Sequence, residues 1–74
     1  MLEFIKRDEG DELFIYLDEE GWRRFQQEVV EARRSGHAHL FSSEWGPGEL
    51  TVMPGSSGSL HKVTITFEAK GQDA

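Results

Sequence analysis

Residues 18–36 read DEEGWRRFQQEVVEARRSG, and this stretch decides the fold. Trp22, Phe25, Val29 and Ala32 recur at i, i+3, i+7 and i+10, which lays one apolar stripe along a helix. Asp18 is the expected N-cap, and Glu19 and Glu20 fall in the first turn, where the helix dipole favours carboxylates. Arg33 and Arg34 fall in the last turn, and Gly36 can take the left-handed conformation that ends a helix. The helix is therefore predicted over Glu19–Ser35. Leu17 and Trp22 have the spacing of a hydrophobic staple. Glu19–Arg23 and Glu20–Arg24 stand in the favoured i, i+4 order, each adding about 0.2–0.5 kcal/mol.

Strand signals lie on both sides. Leu2 to Lys6 and Glu12 to Leu17 are apolar, β-prone runs divided by Arg7-Asp8-Glu9-Gly10-Asp11, which predicts a β-hairpin. Alternation in the second run puts Leu13, Ile15 and Leu17 on one face and Phe14 and Tyr16 on the other. His37 to Phe41 reads as a third strand and Glu49 to Met53 as a short fourth. In Leu60 to Glu68, Val63, Ile65 and Phe67 alternate with polar residues and are expected to meet the helix stripe. The expected fold is α+β: a single helix packed on one face of a mostly antiparallel four- or five-stranded sheet, in the order β-β-α-β-(β)-β. Residues 1–70 form one domain and 71–74 a disordered tail; Pro54 to Ser59 reads as a flexible segment. The second face of such a sheet has no layer left to cover it.

Seventy-four residues allow one small domain with a thin core. Apolar residues are 36% and charged residues 30% of the chain, polar for a globule but not the profile of disorder. Without cysteine the chain needs no oxidising compartment. No run approaches the ~18 apolar residues of a membrane span, and Met1-Leu2-Glu3 lacks the basic start of a signal peptide, so the expected location is the cytoplasm. The net charge is −6, from fourteen acids and eight bases. It argues against nucleic acid and anionic membrane as partners, which reward Lys and Arg. The excess sits in residues 1–20, where eight acids face two bases. Those acids divide between the hairpin turn and the helix start, about 17 Å apart along the intervening strand, so they form two separate patches.

Candidate chemistry is sparse. His37 and His39 share one side of a strand and both can reach one metal ion, with His61, Glu44 or Glu49 to complete a site. The spacing is short and common, and two half-exposed strand histidines account for it, so no metal is expected. There is no cysteine and no Gly-x-Ser-x-Gly elbow, and nothing apolar raises one pKa in the Glu44–Glu49 pair. No catalytic residue and no cofactor are assigned, and the chain is not expected to be an enzyme. Trp45, between glycines in the 42–48 loop, either folds back over the thin core as a lid or is offered to a partner as an anchor. Scarcity of core area favours the lid.

His39-Leu40-Phe41, followed by Glu44-Trp45-Gly46-Pro47-Gly48-Glu49-Leu50, after a hairpin and an acid-capped helix, resembles the immunity proteins of bacterial polymorphic toxin systems. Within these it is similar to immunity protein family thirty-two. The resemblance implies a small cytosolic α+β protein that binds and neutralises a cognate toxin without catalysis, and it supplies no contact residues. The residues themselves point to a protein partner. If Ala38 and Leu40 face the helix, His37, His39 and Phe41 share the open face with Phe14 and Tyr16, an aromatic and imidazole patch of the kind that yields hot spots. The candidate partner-binding residues are Phe14, Tyr16, His37, His39, Glu44, Trp45 and Glu49. An acidic chain suits a basic toxin, since complementary fields speed association. Two alternatives stand beside this: a homodimeric structural or regulatory domain whose open face packs on itself, and a small metal-binding module using His37 and His39.

Overall fold

The computed structural model describes residues 1–7, 9–53 and 58–68. Within them the order is β1 (Leu2–Arg7), β2 (Glu12–Leu17), α1 (Glu19–Ser35), β3 (His37–Phe41) and β4 (Lys62–Thr66). The protein is α+β, with one helix and four strands among the described residues. The helix occupies the predicted span. The Asp18 carboxylate accepts the Gly21 N–H at 2.9 Å, and Gly36 closes the helix at φ 99°, donating its N–H to the Ala32 carbonyl at 2.8 Å. The side-chain pairs differ from expectation. Arg24 lies 3.8 Å from Glu28 and Arg34 2.6 Å from Glu31, so Arg24 turns toward the C-terminal carboxylate rather than back to Glu20.

The strands make two small antiparallel sheets in place of the expected single one. β1 pairs with β2 from Leu2↔Leu17 to Arg7↔Glu12, and β3 with β4 from His37↔Thr66 to Phe41↔Lys62. The first hairpin turns through Gly10 and Asp11, both at positive φ. Residues 49–53 are not a strand: Leu50 contributes one isolated bridge to Ser42. The two sheets are joined by the approach to β4. There the Lys6 N–H donates to Gly58 at 3.0 Å and the Leu60 N–H to Phe4 at 2.8 Å. The chain then bends at His61 and pairs with β3.

That bend is where strand parity slips. Leu60 and Val63, three residues apart, both pack on the core, whereas an unbroken strand would return to the same face every second residue. His61 and Lys62 take up the difference, and one continuous sheet cannot form across them.

The core gathers Leu2, Phe4, Leu40 and Leu50, with Phe25, Leu60, Val63 and Ile65 packed around them. Phe4 and Phe25 meet edge to face at 6.0 Å, which seats the helix on β1. Cover is incomplete. Trp22 and Val29 of the helix stripe remain exposed, as do Leu13, Ile15 and Leu17 along β2. Phe67 lies beyond β4, exposed, with the Arg33 guanidinium of α1 5.7 Å from its ring. Among the described residues no helix is long and apolar enough to cross a membrane. The flexible segment expected at 54–59 lies outside the described residues except for Gly58 and Ser59, which are held against β1. The tail at 71–74 also lies outside them.

Candidate binding surface

The parity of β3 sets the surface. Ala38 and Leu40 are buried against the helix side, so His37, His39 and Phe41 project from the other face. They form a row, with ring centroids 5.1 Å apart between the histidines and 6.2 Å between His39 and Phe41. Thr64, directly across the ladder from His39, places its hydroxyl 3.0 Å from His39 Nδ1, which leaves Nε2 as the ring's outward polar atom. Lys62, across from Phe41, holds its ammonium 5.5 Å from the Phe41 ring.

The 42–50 loop follows directly from β3. The N–H groups of Trp45 and Gly46 both donate to the Ser42 carbonyl, at 3.1 and 2.8 Å. This turn presses Gly46 onto Phe41, where an added Cβ would lie 2.8 Å from Phe41 Cβ and 2.9 Å from the ring. The indole is thereby turned outward. Trp45 is 61% exposed and stacks on His61 at 5.0 Å and 15°, so it is not the lid over the core that scarcity of core area favours. Leu50, from the same loop and only 3% exposed, closes the core instead. His61 is fixed by the buried Ser42, whose hydroxyl lies 2.7 Å from Nδ1. The half-buried Glu49 carboxylate accepts the Phe41 N–H at 2.9 Å, binding the loop back to the last residue of β3. Glu44, next to Trp45 in the chain, is exposed.

Phe14 and Tyr16 lie elsewhere. They stack on each other at 6.1 Å on β2, and Arg7 holds its guanidinium 4.5 Å from the Phe14 ring. The structure thus brings His37, His39 and Phe41 together and sets Trp45 against His61, while Phe14 and Tyr16 sit on the other sheet. Sequence reasoning gave His61 and Lys62 no part in this surface. The available signal was the three-residue spacing of Leu60 and Val63, which breaks period-2 alternation. Carboxyl pKa values are lowered at Asp18, by the amino-terminal ammonium and the Gly21 N–H, and at Glu31, by Arg34. Neither belongs to the row. Among the described residues no three His, Asp or Glu side chains converge to hold a metal ion.

Rings in a tilted row along β3 and one largely exposed indole stacked on His61 provide amphipathic contact area. The chain matches no protein-family model, no curated protein and no solved structure.

Proposed function

We propose that the chain is a non-catalytic binding protein of the immunity type, which neutralises a cognate basic bacterial toxin in the cytoplasm by covering its active site. The observation that carries this reading is the exposed Trp45 indole, held flat against His61, together with the His37–His39–Phe41 row on β3. Trp is the side chain most enriched among interface hot spots, and removing such an anchor typically lowers affinity by at least about 2 kcal/mol. The net charge of −6 adds long-range attraction for a basic partner. Co-expression with the toxin encoded immediately upstream is expected to restore growth, and the two proteins should co-purify. Trp45→Ala should weaken that complex at least thirtyfold, roughly, while leaving the melting temperature nearly unchanged. Absence of both rescue and complex refutes the proposal.

A further inference from the structure

We infer that the free edge of β2 is a second docking site, which takes an added strand from a partner protein, apolar in alternation and basic at both ends. The inference rests on the toxin-binding reading for the partner's identity; the edge itself rests on backbone geometry.

Leu2, Phe4 and Lys6 of β1 direct their backbone groups toward Thr51, Leu60 and Gly58. By alternation Glu3, Ile5 and Arg7 therefore face β2, where they pair with Tyr16, Phe14 and Glu12. The backbone N–H and C=O groups of Leu13, Ile15 and Leu17 consequently point away from β1, along an edge that no described strand covers. Between its ends this edge carries little protection: Leu13–Leu17 has no proline, no charged side chain and an unbroken register. The side chains of the same three residues are 52%, 44% and 39% exposed. An added strand would gain ladder hydrogen bonds and apolar contact together.

Charge selects the occupant. Asp11 and Glu12 flank one end of the edge and Glu19 and Glu20 the other. Among the described residues no ion pair neutralises these four. A second copy pairing antiparallel sets the Glu12 end of one chain against the Asp18 end of the other, and parallel pairing sets Glu12 against Glu12. Both oppose like charges, twice over by symmetry. A strand with Lys or Arg at both ends meets opposite charge at each. At the turn end a hollow lined by Lys6, Asp11, Glu12, Leu13 and Leu60 offers such a residue two carboxylates against one ammonium. Its aliphatic stem would lie on the leucines and its charged head at the acids.

The test is titration of the isotopically labelled full chain with a synthetic peptide of about ten residues that alternates Val and Thr and carries two Lys at each end. Binding should slow hydrogen exchange at the Leu13, Ile15 and Leu17 amides and weaken with added salt. Ile15→Pro removes an edge-facing N–H and is compatible with an edge strand, with Ile15→Ala as the control for the lost side chain, and Leu13→Lys sets a cation at the turn end. The proline and lysine variants should each lower affinity about tenfold or more. No binding, protection at His37–Phe41 instead, or equal binding of a peptide ending in Glu would each overturn the inference. So would self-association that protects the same amides without peptide, since the occupant would then be a second copy. The two readings separate cleanly. Rescue of growth by Ile15→Pro at wild-type level sinks the edge and leaves toxin binding standing; peptide binding without any rescue does the reverse.

Discussion

Replacing Gly21 by alanine sets two effects of opposite sign against each other. Gly21 is the third residue of α1, and in a helix interior exchange of Gly for Ala gains about 0.8–1.0 kcal/mol. Here a Cβ would fall on the Met1 carbonyl oxygen, 2.7 Å from the carbonyl carbon and 3.2 Å from Leu17 Cβ. Met1 has little room to retreat. The next residue, Leu2, is 1% exposed, its N–H reaches Thr51 Oγ1 at 3.3 Å, and its carbonyl accepts the Thr51 N–H at 2.7 Å. Displacing Met1 alone forfeits the Asp18 N–H bond to its carbonyl at 3.2 Å, about 0.5–1.5 kcal/mol. Forcing the contact costs about 1–3 kcal/mol as overpacking. Since Met1 is held by Leu2, the overpacking cost applies, and subtracting the propensity gain leaves a net loss of about 0.2–2 kcal/mol. At this chain length 1 kcal/mol moves the melting temperature by about 4–8 °C. Thermal and urea unfolding of Gly21→Ala followed by circular dichroism should show a lower Tm with an unchanged urea slope. A raised Tm would refute the packing of Met1 against the first helical turn.

Leu40→Ala, at a fully buried position, should cost about 2–5 kcal/mol; Leu13→Ala, half exposed on β2, should cost under about 1 kcal/mol. Equal losses in urea melts would contradict the burial difference between β3 and β2. Gly36→Ala has open space around its Cβ but must hold φ 99°, so a loss of about 1–2 kcal/mol is expected from conformation alone, with Gly36→Asn intermediate. The Asp18 carboxyl is held below the usual carboxylate range by the amino terminus and the Gly21 N–H. Its stabilisation is therefore present above its ordinary pKa near 4 and fades as pH falls through the lowered folded value. Asp18→Asn retains a cap without that titration, so its Tm should fall less than wild type's between neutral and strongly acid pH; parallel acid profiles would contradict this.

The local elements were legible because their causes are local. Asp18, the stripe from Trp22 to Ala32 and Gly36 bound the helix through capping and period alone, and Gly10 with Asp11 makes the hairpin turn. His37 and His39 share a face whichever way β3 turns, so half of the candidate row needed no tertiary knowledge. The other half did. Both faces of residues 37–41 carry apolar groups, and burial of Ala38 and Leu40 selects between them only once helix and core are assembled. The position of Trp45 was equally inaccessible, because it follows from Gly46 pressing on Phe41 and from Leu50 having already closed the core.

By itself the sequence determined the α+β class, the helix and its caps, the two hairpin strands and the concentration of acid at the two ends of β2. These are properties of neighbouring residues, governed by turn geometry, periodicity and covalent order. Tertiary structure alone decided that four strands divide into two sheets, that parity slips at His61, and that β2 keeps an open edge with exposed leucines. The reason is competition for a small amount of apolar cover. One helix can lie over β1, β3 and β4 but not over β2 as well, and which strand goes uncovered is settled by packing between residues distant in the chain.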